Sequence, residues 1–172
     1  MDRRSFVIAM GAATAAGAGE APMRQVEPDW AFVADTVMGG VSTGGVMREA
    51  VAGREAVRLT GRVSLENDGG FVQMATPMPS AAGWAGIEID LIGNGERYDI
   101  RLRTADLARP WQSYRAEVVA PRAWTTLRLP FDAFAPNRTE VPFARARLRR
   151  LGIVAVGRAF DADVAVARLV LV

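Results

Sequence analysis

From Trp30 onward, apolar and polar residues alternate with a period of two, the repeat that sends successive side chains to opposite faces of a β-strand. In "GIEIDLIG", Ile87, Ile89 and Leu91 stand against Glu88 and Asp90; in "RYDIRLRT", Tyr98, Ile100 and Leu102 stand against Asp99, Arg101 and Arg103. Each reads as a half-buried strand. Further strands are predicted over "AVRLTGRVSL", "FVQMAT", "WQSYRAEVVA", "WTTLRLPF", "RLGIVAV" and the terminal "VAVARLVLV". Turn residues separate them: "NDGG" at 67–70, "GNGE" at 93–96, "ARP" before Trp111 and "APR" before Trp124. "PFDAF", Pro130 to Phe134, predicts a short helical turn. About eight strands with no long amphipathic helix predict an all-β fold, an antiparallel jelly-roll β-sandwich whose two packed sheets limit exposed edges.

The stretch "DTVMGGVSTGGV", Asp35 to Val46, departs from strict alternation. A flexible linker would lack its interleaved valines and methionine, so it predicts an ordered, tight turn with Val37, Met38, Val41 and Val46 as apolar anchors on the core.

The N-terminus departs more sharply. "MDRRSFVIAMGAATAAGAGEAPM" places Arg3 and Arg4 ahead of a weakly apolar run, and "AGA" at 16–18 ends it with small residues. That is the layout of a twin-arginine export signal, cleaved before Gly19, and it predicts a periplasmic protein. The expected organisation is a signal over 1–18, a loose mature N-terminus over 19–29, and a single jelly-roll domain over 30–172. No later apolar run is long enough to cross a membrane as a helix. A chain of 172 residues fits one domain, which at this size buries roughly 68–70% of its unfolded surface.

Composition removes whole classes of chemistry. The chain has no cysteine and no histidine, and all 21 of its basic residues are arginine. Disulfides, thiolate and imidazole catalysis, ordinary zinc sites and lysine Schiff bases are therefore excluded. The net charge is only +2, and loss of the signal brings it closer to neutrality. The high isoelectric point reflects the scarcity of groups that titrate near neutral pH, so it does not point to nucleic acid. The basic run Arg145, Arg147, Arg149 and Arg150 lacks interleaved aromatics and reads as a solvated face.

"DTVMGGVS", "GRVSLENDGGFVQM", "GNGERYDIRLRT", "WQSYRAEVVAPRAWTTLRLPFDAFAP" and "RLGIVAV", in that order and spacing, resemble the complex I intermediate-associated protein 30 family over residues 29–172. The resemblance implies a galactose-binding-domain-like jelly roll. It also implies a non-catalytic role through a protein partner, since mitochondrial members assist assembly of respiratory complex I.

Candidate binding residues follow from side-chain chemistry. In the first glycine-rich turn, Asp35 and Ser42 can bond turn amides, while Gly39 and Gly40 permit positive φ or close approach of another chain. In "ENDGGF", Asn67, Gly69 and Gly70 mark a second turn. Glu66, Asn67 and Asp68 offer oxygens suited to calcium, but the spacing of a calcium loop is missing, so no cofactor or metal is assigned. The two turns are expected to lie side by side, with Asp35, Ser42 and Asn67 at a polar rim open to a partner. Arg101 and Arg103 present planar forks on one strand face, and Trp111, Gln112 and Tyr114 add stacking and hydrogen-bonding groups. Together these predict a protein-interaction module, with an envelope carbohydrate-binding domain as the alternative. No carboxylate pair marks a hydrolase, and no catalytic residue is assigned.

The export reading makes a direct prediction: lysine at both positions 3 and 4 leaves unprocessed precursor in the cytoplasm. Processed protein found outside the cytoplasm in that variant's cell fractions would contradict it.

Overall fold

The structure, a computed structural model, describes residues 21–172; the expected export signal and its cleavage site lie outside the described residues. In chain order the strands are β1 (Arg24–Gln25), β2 (Ala31–Ala34), β3 (Thr43–Val51), β4 (Arg54–Val63), β5 (Phe71–Pro77), β6 (Gly86–Gly93), β7 (Arg97–Thr104), β8 (Ser113–Val119), β9 (Thr125–Pro130), β10 (Ala135–Asn137), β11 (Leu148–Val156) and β12 (Phe160–Leu171). They form two six-stranded antiparallel sheets. The first runs β3-β4-β12-β6-β9 with β1 added against β12; the second runs β10-β8-β7-β11-β5-β2. Successive strands β6 and β7 fall in different sheets, and the last strand, β12, closes the middle of the first sheet between β4 and β6. This is the predicted jelly-roll sandwich.

The period-two pattern places the core. Leu59, Ile87, Ile89, Leu91, Leu169 and Leu171 of the first sheet are fully buried and face Val72, Met74, Ile100, Leu102, Leu151 and Ile153 of the second. Each such aliphatic side chain contributes about 1.5–3 kcal/mol relative to exposure. A bulge in β12 between Val166 and Arg168 keeps this pattern intact. Without the extra residue, Leu169 and Leu171 would face solvent; with it, they join Val164 and Val166 inside while Arg168 points out.

One polar residue crosses the core. The Tyr98 hydroxyl, on the second sheet, accepts the Asp163 backbone N–H of the first at 2.8 Å and donates to Asn94 Oδ1 at 2.8 Å. Burial pushes its phenol up to about 12.

Four features differ from the sequence reading. The segment expected to be a loose N-terminus is tied down from Arg24: β1 pairs with Leu171 and Val170 of β12, and Val26 is buried. The second half of the glycine-rich stretch is strand, since β3 begins at Thr43. There Gly44 and Gly61 lie opposite each other, and a Cβ on Gly61 would come within 2.5 Å of the Thr43 carbonyl. Alternation is hard to see where glycine replaces the apolar member, which is why this strand was missed. The short edge strands β2 and β10 were missed because neither is long enough to show a period. The fourth difference concerns the apolar residues of the first turn, described with the site below. "PFDAF" does contain a 3-10 turn, Phe131–Ala133.

Candidate functional site

At one end of the sandwich, β2 runs into a 3-10 turn, Asp35–Met38, closed by Gly39 at φ 89°. That region favours glycine, because a Cβ would crowd the backbone. Asp35 is completely buried. Its Oδ1 accepts the Ser42 N–H at 3.0 Å; its Oδ2 accepts the Ser42 hydroxyl at 2.5 Å, the Gly70 N–H at 2.6 Å and the Phe71 N–H at 3.3 Å. Ser42 Oγ in turn accepts the Ser64 N–H at 2.9 Å. Burial pushes the Asp35 carboxyl up, but the Ser42, Gly70 and Phe71 hydrogen bonds outweigh it and hold the group below its ordinary value. Among the described residues no arginine pairs with it, so neutral donors alone stabilise the charge.

This network explains the two glycine pairs. The expected juxtaposition of the two turns is present, and the carboxylate sits between them. A Cβ on Gly40 would come within 2.5 Å of Asp35 Oδ1. A Cβ on Gly69 would collide with Asp35 Oδ2 and approach the Glu66 carbonyl to 2.9 Å. Gly40 clears space for the acid, and Gly69 for the acid together with the backbone carbonyl of Glu66 in its own turn.

Several expected site residues take other roles. Asp35 and Ser42 are buried and hold the turns together, so they form no open rim. Of the three rim candidates only Asn67 is exposed, in left-handed conformation at φ 55°. Val37, Met38 and Val41 do not anchor to the core: they are 72%, 66% and 41% exposed. A four-residue 3-10 turn cannot aim every side chain inward, and Asp35 has taken the inward position. Val46 does pack on the core. Leu65, 52% exposed, lies over the second turn, where a Cβ on Gly70 would meet its Cδ2 at 2.9 Å. No sequence signal had marked it. The two adjoining turns thus present exposed apolar side chains, Val37, Met38 and Val41 from the first and Leu65 from the second, with the exposed acids Glu66 and Asp68 following Leu65 in the chain.

The second candidate group lies on the outer face of the second sheet. Asp99 is buried there and binds two guanidinium groups, Arg101 Nη2 at 2.9 Å and Arg115 Nη2 at 3.2 Å. A cleft of about 280 Å³ beside them is also lined by Arg97, Glu117 and Arg158. Among the described residues Arg103 has no acidic partner; its Nη2 donates to the Arg109 carbonyl at 3.0 Å. Trp111 is 53% exposed, with the Arg109 guanidinium 5.8 Å from its ring centroid. Gln112 does not project from the strand beside Tyr114. It precedes β8 and accepts the Arg109 N–H at 3.0 Å. Tyr114 is fully buried, its hydroxyl donating to the Val141 carbonyl at 2.7 Å, so it is a core residue and cannot reach a ligand. Among the described residues no group of three or more acidic side chains is placed to hold a metal ion.

The fold is a two-sheet antiparallel jelly-roll β-sandwich. Residues 22–164 match the family model described as Complex I intermediate-associated protein 30 (CIA30), and the chain belongs to that family. No curated protein sequence matches it. Among solved structures it is similar to the family 11 carbohydrate-binding module from Clostridium thermocellum in complex with a β-1,3-1,4-mixed-linked tetrasaccharide. That match has TM-score 0.69 and 11% identity, over 87% of this chain and 95% of that one. The family 30 carbohydrate-binding module of a Clostridium thermocellum cellulosomal cellulase aligns with TM-score 0.56 and 13% identity, over 88% and 97% of the two chains. An exo-β-agarase aligns with TM-score 0.55 and 8% identity, over 85% of this chain and 23% of that one. At these identities the likeness is one of fold.

The Asp35 network predicts a defined stability profile. Asp35→Asn sets an NH2 group against converging donors and is expected to cost on the order of 3 kcal/mol in urea denaturation. Because the folded carboxyl lies below its ordinary 3.8, its contribution is complete above that value and is lost as pH falls through the folded one; the variant's acid decline should be shallower. Gly40→Val, which crowds the same carboxylate, should cost on the order of 1–3 kcal/mol. Wild-type stability in either variant would rule out the clamp.

Proposed function

We propose that the protein is a non-catalytic interaction module that grips a protein partner with the Val37, Met38, Val41 and Leu65 knuckle. The observation that carries this reading is the pairing of exposure with rigidity. Large apolar side chains stand in solvent on a turn whose base is fixed by a buried carboxylate. A preordered apolar knob loses little conformational entropy on docking, and such residues act as anchors in a partner's pocket. Glu66 and Asp68 beside it favour a recess with a basic rim and disfavour an anionic membrane surface. Membership of the CIA30 family supports a partner among respiratory complex I subunits or assembly intermediates, and the twin-arginine pattern of residues 3–4 supports action on the periplasmic side.

A photo-crosslinking residue at position 38, in cells of the native host, should capture complex I subunits or assembly intermediates. Combined Val37→Ser, Met38→Ser and Leu65→Ser substitution should abolish capture while changing stability by no more than about 0.5 kcal/mol per site, as for ordinary surface positions. Crosslinks to unrelated proteins, or capture that survives the triple substitution, would refute the reading.

The carbohydrate alternative rests on a separate observation: Trp111 is exposed on the connection between β7 and β8 of a sandwich similar in fold to carbohydrate-binding modules. If it is correct, mixed-linkage β-glucan oligosaccharides should perturb tryptophan fluorescence, and Trp111→Ala should remove the change. No response to the oligosaccharides and no signal on a glycan array would exclude it.

A further inference from the structure

On the outer face of the second sheet, ion pairing stops abruptly along β7. Arg97 has Glu117 at 3.8 Å, and Arg101 shares Asp99 with Arg115. The next outward residue, Arg103, lies directly across from Arg150 of β11. Like charges facing each other across strands are destabilising. The register shift between Leu148 and Arg150 makes Arg149 an extra residue, so two successive arginines stand at the position opposite Arg103. Such bulges re-aim side chains, and they concentrate next to functional sites.

Among the described residues, neither Arg103, Arg149 nor Arg150 has a carboxylate within ion-pairing distance; Asp106, on the loop after β7, is taken by Arg147 at 3.0 Å. Arg103 is anchored by its bond to the Arg109 carbonyl, while its Nε is buried without a partner. Burial and the neighbouring Arg150 both depress its basicity, as expected for a cation that lacks a counter-ion.

We infer that Arg103, Arg149 and Arg150 form a receptor for an oxyanion group, a phosphate, sulfate or carboxylate. An oxyanion would relieve the repulsion between the facing guanidinium groups and accept several charge-assisted hydrogen bonds from their planar forks. The site is separate from the Asp35 knuckle, so it stands or falls independently of the docking reading. The group could arrive free or carried on an acidic sugar.

The test uses the whole mature chain, with thermal melts and calorimetric titrations against sodium phosphate, sodium sulfate, an oligoglucuronate and a neutral gluco-oligosaccharide, at ionic strength held constant with sodium chloride. Phosphate or sulfate should raise the melting temperature of the wild type. Arg150→Gln should weaken the binding at least about tenfold, the loss of a charge-assisted hydrogen bond. In chloride alone Arg150→Gln should melt above the wild type, because it removes the facing charge; a solvated surface arginine would not do this. Arg149→Gln should also weaken binding. Tighter binding of the oligoglucuronate than of phosphate assigns the group to an acidic glycan, and the reverse order assigns it to a free ion. No stabilisation by any oxyanion, or equal stabilisation of the wild type and both variants, overturns the inference.

Discussion

The architecture at one end of this sandwich depends on a single buried charge. Asp35 leaves β2, in the second sheet, and its carboxylate takes hydrogen bonds from Ser42, which leads into β3 of the first sheet, and from Gly70 and Phe71 at the start of β5 in the second. Ser42 carries the connection on to Ser64, just beyond β4. One side chain therefore ties both sheets together where the chain passes between them. A buried ion without a counter-ion is normally costly, and it persists here because its oxygens collect four donors. That demand fixes the surroundings: Gly40 and Gly69 cannot carry a Cβ, the turn must tighten into a 3-10 form, and the residues that follow Asp35 are pushed outward.

That outward displacement links the fold to the proposed docking surface. Val37 and Met38 are exposed because the turn has committed its inward position to an acid. A hydrophobic anchor at this place would have made a more ordinary core and no knuckle. The likeness to carbohydrate-binding modules, at 11% identity for the family 11 module, is one of fold alone, and one sandwich can carry unrelated surfaces.

The two outer faces manage charge differently, and arginine accounts for both. On the first sheet Arg58 bridges Asp163 at 2.6 Å and Glu49 at 2.9 Å, while Asp90 receives Arg54 at 2.8 Å and Thr126 at 2.6 Å. Burial raises the Asp90 carboxyl, but its hydrogen bonds and the nearby guanidinium groups bring it below its ordinary value. Individually, half-exposed pairs of this kind contribute little, about 0.2–1 kcal/mol; collectively they leave the first face locally neutral. On the second face one acid, Asp99, is shared by two arginines, and the face ends in arginines that have no acidic partner among the described residues. A planar fork with several donors suits both situations, bridging two acids on one face and waiting for an anion on the other.

The sequence by itself determined the sandwich, because burying one face of a strand imposes an alternation that eight of the strands display. It also led to the expectation that the two glycine-rich turns would lie side by side, although the glycines turn out to make room for the Asp35 carboxylate. It did not reveal β3, where glycines erase the alternation, or the attachment of Arg24 and Gln25 to β12, which depends on a partner strand at the other end of the chain. Only the tertiary structure decided which polar residues face solvent. Asp35, Ser42 and Tyr114 look like surface chemistry in one dimension, yet each is buried because its partners come from segments distant in sequence: Gly70 and Phe71 for Asp35, Ser64 for Ser42, Val141 for Tyr114. Arg103 carries the same lesson in reverse. Its strand neighbours promise a paired face, and only the register with β11, shifted by one bulge, sets arginine against arginine. Local pattern specifies which way a side chain points, but what it meets there is fixed by strand order and register, and those are properties of the assembled sheets.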